Sequence, residues 1–302
     1  MLRKLSVIFV AILLLGSVRI QAQTQTQEKP VAELFCGAEL SYSDVNFARL
    51  YNVLINLTPG TRVRLGHDWE VAGQLYLPIV NDGYEERYSM IRLNMANISK
   101  VFRYDEAKQY FKVTAGLFGK ERYGGDLRWM YPVNSWLLLQ ARMGLTNRWA
   151  LGASADSSES EFETRNFTFT AMFGANVWLQ PWATELRASG GRYLNHDYGV
   201  EGEIIRHFKH CSVSAFVQYH ELNRSVFTNM AYRYAGGFRV VMMLPPYKKK
   251  QSRVVYRPAS NFRLTYKAQA DGYSMRNYTT DPEENERTYP IDIPWGTGNF
   301  NE

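Results

Sequence analysis

The sequence predicts an all-β chain, an antiparallel transmembrane β-barrel of roughly 12 strands behind a cleaved signal peptide. Three observations carry this expectation. The N-terminus has the layout of an export signal, residues from about 50 to 270 alternate with period two, and high aromatic content goes with ordinary hydropathy.

Arg3 and Lys4 precede an apolar run, Leu5 to Gly16, and Ile20-Gln21-Ala22 ends in a small residue suited to cleavage. The run is shorter than the about 20 apolar residues a spanning helix needs, and Arg19 interrupts it. Residues 1–22 therefore read as a signal peptide, 23–49 as an N-terminal segment with the first strand, 50–275 as the barrel and 276–302 as an irregular tail. No cysteine follows the cleavage site, which argues against an acylated lipoprotein. Polar residues break every later apolar run, so a membrane-embedded chain must span as a closed barrel.

Twenty Tyr, 16 Phe and 7 Trp make 14% aromatics, with a mean hydropathy of -0.34. Strands with one apolar and one polar face give that combination, although a soluble β-sandwich would too. The net charge of +6 falls to about +3 once Arg3, Lys4 and Arg19 are removed (6 − 3), too mild to argue for nucleic acid. Cys36 and Cys211 would meet an oxidising periplasm, either as one disulfide or as two unpaired wall residues.

The strand reading is clearest over Asn166–Leu179. Phe167, Phe169, Ala171, Phe173, Ala175, Val177 and Leu179 share one parity, and Thr168, Thr170, Met172, Gly174, Asn176 and Trp178 the other. The same alternation puts Phe111, Val113, Ala115 and Leu117 opposite Lys112, Thr114 and Gly116. It also separates Val71, Gly73, Leu75, Leu77 and Ile79 from Ala72, Gln74 and Tyr76. Val213, Ala215, Val217 and Tyr219 oppose Ser212, Ser214 and Gln218, with Phe216 spoiling the polar face. Phe262, Leu264, Tyr266, Ala268 and Ala270 oppose Arg263, Thr265, Lys267 and Gln269. Turn signals stand at Pro59-Gly60, Asn81-Asp82-Gly83, Gly124-Gly125, Gly236-Gly237 and Pro245-Pro246. Asp156–Glu163 reads as an acidic surface loop and Lys248–Lys250 as a basic one.

One segment is more specific than composition. Gly191-Arg192-Tyr193-Leu194, then Asp197-Tyr198-Gly199, then Arg206 and Phe208 after a strand, resembles the signature of the YjbH family of outer-membrane barrels. Ala115–Phe118 through Tyr123-Gly124-Gly125 and Tyr131–Ser135 are similar to that family's glycine-rich hairpin and its following proline step, with Met130 where an arginine is usual. The resemblance covers residues 88 to 270 and implies a short, single-lobe version. It implies an outer-membrane protein of exopolysaccharide or group 4 capsule export, a conduit or secretion accessory and not an enzyme. The expected partners are outer-membrane lipid, an anionic polysaccharide and periplasmic export proteins. The signature also has a plain physical reading: a glycine that permits a tight bend, and Asp197 bonding turn amides. Arg192 and Arg206 would pair with Asp197 or Glu203 on the inner wall.

Charge placement gives the candidate contact residues. Lys or Arg on a lipid face near mid-bilayer costs about 2–4 kcal/mol, so Arg62, Arg64, Arg92, Lys112, Arg128, Arg263 and Lys267 should line the lumen. Arg192 and Arg206 join them as candidate substrate-contacting residues. With Asp126, Glu201 and Glu203 as partial counter-charges, this is either a basic-leaning path for anionic sugars or an internal salt-bridge network filling a narrow barrel. Trp69, Trp129, Trp136, Trp149, Trp178 and Trp182 are candidates for interfacial girdles.

No cofactor or metal is expected. His207, His210 and Cys211 are badly spaced for one strand face, and neither His196-Asp197 nor His220-Glu221 is a ready dyad. The alternatives are a barrel enzyme acting on lipid or glycolipid and a periplasmic β-rich binding protein. The chain ends Gly298–Glu302, without the terminal aromatic strand that barrel assembly usually reads; Phe262–Tyr273 would have to serve instead.

Overall fold

The computed structural model describes residues 31–43, 52–83, 86–119, 121–149, 167–194, 196–221, 234–242, 254–257, 262–268, 277–282, 289–293 and 295. The expected signal peptide, the 156–163 and 248–250 segments and Pro245-Pro246 lie outside the described residues.

Strands form because β-branched and aromatic residues alternate with small polar ones, a pattern that suits a pleated surface with two different faces. Among the described residues there are fourteen: β1 (Ala32–Ser43), β2 (Asn52–Gly66), β3 (Trp69–Asp82), β4 (Arg92–Tyr104), β5 (Gln109–Phe118), β6 (Arg122–Pro132) and β7 (Leu137–Arg148) come first. Then follow β8 (Thr168–Leu179), β9 (Thr184–Arg192), β10 (Tyr198–His207), β11 (Cys211–His220), β12 (Tyr234–Met242), β13 (Val254–Arg257) and β14 (Phe262–Ala268).

From β2 to β12 each strand is antiparallel to the next, and β14 continues the series against β12. β1 is antiparallel to β2 on one side and parallel to β13 and β14 on the other. The circuit of neighbours thus returns to β1, as in a barrel. β13 takes Ala32–Phe35 and β14 takes Glu39–Ser43, so these two short strands are halves of one broken stave. Counted as one, they leave thirteen staves (14 − 1). An odd number of up-and-down staves brings the last alongside the first in the same direction, which is why this seam alone is parallel.

The two ends of the sheet differ. Consecutive strands are joined by residues 67–68, 105–108, 133–136, 180–183 and 208–210 at one end, called here the turn end, where the longer interval 243–253 also lies. At the other, the loop end, the intervals are 44–51, 83–91, 119–121, 149–167, 193–197 and 221–233.

Three expected turns lie inside strands. Pro59-Gly60 is within β2, Gly124-Gly125 within β6 and Gly236-Gly237 within β12. At Gly124 the reason is close approach: φ is +143, and a Cβ there would come 2.2 Å from the Leu145 carbonyl oxygen of β7. The glycine lets a continuous strand bend against its neighbour instead of ending it.

The faces are inverted relative to a water-soluble fold. On β8, Thr168, Thr170, Asn176 and Trp178 are buried, while Phe169 and Phe173 are exposed. Around the sheet Asn56, Gln74, Thr114, Asp126, Asn176 and Ser214 are buried, whereas Ile98, Val113, Met143, Phe173, Ile204 and Val217 are exposed, Val217 to 64%. On β3, β5, β8 and β11, to which the sequence pattern assigned two faces, the polar parity is inward. Phe216, which spoils the polar parity of β11, is inward as well, and the Arg239 guanidinium lies 4.0 Å over its ring.

Exposed aromatics gather at both rims. Trp69, Tyr104, Trp136, Trp182 and Phe208 stand at the turn end, and Phe167, Tyr198, Tyr219 and Tyr234 at the loop end. Two of the six expected girdle tryptophans do not belong there. Trp149 and Trp178 are buried: the Trp149 indole donates to the Arg122 carbonyl at 2.6 Å, and Trp178 packs 5.3 Å from the His207 ring. Both lie on the inward side of their strands, where a ring fills space between polar neighbours. Cys36 and Cys211 are both free.

Candidate functional site

The interior is where the chemistry collects, and it is occupied by the chain's own C-terminal segment. β14 finishes at the loop end, and the described residues 277–282, 289–293 and 295 form no strand. They run through the sheet's interior back to the turn end.

Contacts along that path come in three tiers. Near the loop end Tyr278 stacks on Phe118 with centroids 5.3 Å apart, and Leu194 completes the cluster. The Tyr278 hydroxyl donates to Asp126 at 2.7 Å, and the Arg142 guanidinium lies 4.2 Å over its ring. Burial, opposed in part by Arg142, pushes this phenol up to about 12, so it remains a donor at neutral pH. At mid-height Asp281 pairs with Arg62 and, at 3.3 Å, with Lys112. Asn97 donates to the Thr280 carbonyl at 3.0 Å, Gln74 to the Pro282 carbonyl at 3.1 Å and Lys112 to the Pro290 carbonyl at 3.2 Å. At the turn end Ile291, Ile293 and Trp295 pack with Val101, Tyr110, Met130, Leu138 and Trp178. Tyr289 donates to Glu185 beside that cluster.

The wall is shaped to receive this segment. Gly144 faces inward between outward Met143 and Leu145, and a Cβ there would fall 1.7 Å from the Tyr278 hydroxyl. At Gly119 a Cβ would fall 2.1 Å from the Thr279 hydroxyl, while the Gly119 amide donates to the Thr279 carbonyl at 2.8 Å. Any larger side chain at either place would compete for the volume the segment fills.

The candidate residues separate into five groups. Arg62, Arg64, Lys112 and Arg128 are inward and each is engaged with acids. Arg62 bonds Glu33 at 3.2 Å, Arg64 meets Glu33 at 3.3 Å and Glu70 at 3.5 Å, and Lys112 meets Glu70 at 3.3 Å. Arg128 bonds Asp126 at 3.2 Å and the Thr280 hydroxyl at 3.1 Å. Arg92 stands apart near the loop end, against the rings of Tyr88 at 4.5 Å and Tyr76 at 5.4 Å.

Arg206 departs from expectation. It shares the outward parity of Val200 and Ile204, donates to the Thr184 hydroxyl at 3.2 Å and lies over the exposed Phe208 ring. It is therefore no luminal residue and does not meet Glu203. A position next to the rim explains this, because the charged head can reach past the apolar band. Glu203 instead bonds Arg239 at 2.6 Å and Ser214 at 2.7 Å. Arg192 reaches the His196 ring nitrogen at 2.7 Å. Arg263 and Lys267 are in register with Val241 and Gly237 of β12; their side chains lie outside the described atoms.

The signature residues form a corner. Gly191 has φ +154, and a Cβ there would lie 2.0 Å from the Ala171 carbonyl oxygen. The Tyr193 amide donates to the Asp197 carbonyl at 2.9 Å and the His196 amide to that of Tyr193 at 3.2 Å, closing the turn. Tyr193, Leu194 and Asp197 are buried, Tyr198 and Phe208 are exposed at opposite rims, and Gly199 pairs with Gly191.

Several functional residues escaped the sequence reading. Arg142 bonds Asp126 at 2.7 Å, Arg187 bonds Glu185 at 2.6 Å, and Arg239 serves Glu203. Strand parity would have found Arg187, two residues from Glu185 on the same face. No signal of that sort existed for Asp281 or Tyr278. His207 places Nε2 3.2 Å from Glu185, and its cross-strand neighbour Ser212 is buried without a hydrogen bond to its hydroxyl, so the two do not form a nucleophile–base pair. His196 sits in the opposite, loop-end turn. No group of three or more metal-ligating side chains exists among the described residues.

No protein-family model, curated protein or solved structure matches this chain.

Proposed function

We propose that the chain is an outer-membrane β-barrel of an exopolysaccharide or capsule export system, an accessory whose lumen is held shut at rest. The observation that carries the membrane part is the inversion of faces: apolar side chains outside, ion pairs and amides within. Distances agree with it. On β10 the outward rim residues Tyr198 and Phe208 are ten positions apart. At ~3.4 Å per residue and a tilt of ~40° that is about 26 Å, close to the ~25 Å apolar band of such barrels. Five of the six turn-end intervals are short and four of the six loop-end intervals are longer, which agrees with the periplasmic and outer sides of known barrels.

The export part rests on the resemblance of Gly191–Phe208 to the exopolysaccharide signature and on the density of inward cations. The ion-pair network and the C-terminal segment favour a closed accessory over an open conduit. The proposal is tested in the producing bacterium. The protein should fractionate with outer membranes, resist carbonate extraction and run with heat-modifiable mobility, and its deletion should lower surface polysaccharide. Recovery in the soluble periplasm would overturn the membrane reading. Unchanged polysaccharide in a clean deletion would overturn the export reading alone.

A further inference from the structure

Two cations stand on the outward parity of the described strands, Lys100 on β4 and Arg206 on β10, and the chain builds both in the same way. Ile98-Ser99-Lys100-Val101-Phe102 and Ile204-Ile205-Arg206-His207-Phe208 share one order: Ile, any residue, cation, any residue, Phe. Alternation sends Ile, cation and Phe outward together, and Ile98, Phe102, Ile204 and Phe208 are all exposed. Across the sheet Lys100 is in register with the exposed Val113 of β5, and Arg206 with the exposed Val213 of β11. On its other side each cation meets the first residue of the preceding strand, Trp69 of β3 or Thr184 of β9. The turn before that residue ends in a left-handed conformation, at Asp68 (φ +62) or Ala183 (φ +42). Its carbonyl accepts the amide that follows the cation, Val101 at 3.0 Å or His207 at 2.9 Å. Both cations are thereby fixed level with a turn, at the turn-end rim.

Lys100 lies over the rings of Trp69 at 5.1 Å and Phe102 at 5.2 Å. Arg206 lies over that of Phe208 at 5.8 Å and donates to the Thr184 hydroxyl. Among the described residues neither has a carboxylate within ion-pair distance. Asp68, in the turn beside Lys100, bonds Arg103 at 3.4 Å, and Asp105 and Glu106 lie in the turn beyond Tyr104. The turns 180–183 and 208–210 beside Arg206 contain no acid. A charge framed by Ile, Val and Phe needs an anion, and a ring face supplies only part of one. Phosphate oxygens are strong acceptors for ammonium and guanidinium groups, while the apolar frame suits acyl carbons. The loop end has exposed aromatics but, among the described residues, no strand cation of outward parity.

We infer that Lys100 and Arg206 are the centres of two equivalent sites for the phosphodiester of an anionic phospholipid in the leaflet that meets the turn end. With no carboxylate beside the cation, the sites offer nothing to the ammonium of a zwitterionic headgroup. β4 and β10 are six staves apart one way round (10 − 4) and seven the other (13 − 6). The sites therefore hold opposite flanks of the barrel and fix its height in the bilayer. This deepens the membrane part of the proposed function and rests on it.

The test is native mass spectrometry of full-length protein folded in detergent micelles and titrated with phosphatidylglycerol or, separately, phosphatidylcholine. Wild type should retain two phosphatidylglycerol molecules, each bound about fivefold more tightly than phosphatidylcholine, the ratio one interfacial cation supplies. Lys100→Gln and Arg206→Gln should each retain one, the double variant none, and Lys100→Arg should still retain two. Lys108→Gln removes an exposed turn-end cation outside either frame and should also retain two. Inorganic phosphate in large excess should leave the lipid bound.

Two lipids retained by the double variant would overturn the sites. An equal loss in Lys108→Gln would replace them with diffuse surface charge, and displacement by inorganic phosphate would make them sites for a soluble anion. If carbonate strips wild-type protein from vesicles, the membrane reading itself falls. Heat-modifiable insertion without preference for phosphatidylglycerol sinks only this inference.

Discussion

Replacing Ile204 by lysine asks which solvent the outward face meets. Ile204 is 57% exposed on β10, six positions after Tyr198 and four before Phe208. With ~3.4 Å per residue and ~40° of tilt it lies about 16 Å from one rim and about 10 Å from the other, near mid-band. If the face were wet, an exposed isoleucine changed to lysine would shift stability by no more than about 0.5 kcal/mol. If hydrocarbon covers it, the cost is about 2–4 kcal/mol, roughly 30- to 1000-fold in the folding equilibrium. Reversible urea unfolding from phospholipid vesicles reads the difference directly. Arg206→Ala is the control on the same face of the same strand: next to the rim, its removal should change stability by only about 0–1 kcal/mol. A loss below about 0.5 kcal/mol for Ile204→Lys would refute the assignment of this face to lipid.

Asp126→Ala should be costly in the same assay, by about 3–5 kcal/mol, because Arg128, Arg142 and the Tyr278 hydroxyl all lose their shared carboxylate in a buried place. A loss under about 1 kcal/mol would mean that water already screens this cluster. Gly191→Ala should lower the yield of folded, heat-modifiable protein, costing about 1–3 kcal/mol through strain and contact with Ala171. Gly202→Ala, where a Cβ meets nothing within 4 Å, should leave that yield unchanged. A maleimide reagent should label both Cys36 and Cys211 without prior reduction, and a reductant-dependent change in mobility would contradict the free thiols.

Strand faces were legible because period-two alternation is local. The parity read over Phe167–Leu179 recurs in the burial of β8, and those of β3, β5 and β11 do the same. The cations of Arg62, Lys112 and Arg128 were legible by one further step, the cost of charge on an apolar face. Arg206 was placed on the inner wall by the signature alone, and its strand parity, shared with Val200 and Ile204, puts it outward instead. Turn signals failed at Gly124 and Gly236. A glycine that relieves crowding across a sheet looks the same in sequence as one that reverses the chain.

The expected roughly 12 strands compare with thirteen staves, and what a fixed allowance per strand cannot see is that β13 and β14 share one of them. The tryptophans divide in the same way: Trp69, Trp136 and Trp182 sit at the rim, but Trp149 and Trp178 turn inward, and residue type alone does not carry depth or side.

Sequence alone determined the all-β class and which side chains share a face, because a pleated strand sends successive residues to opposite sides whatever it pairs with. Tertiary structure alone decided the parallel seam and the filled interior. Asp281 meets Arg62 across 219 positions and Lys112 across 169, and the segment carrying it has no periodicity to announce a partner. Its place follows from a space that exists only after thirteen staves have assembled around it.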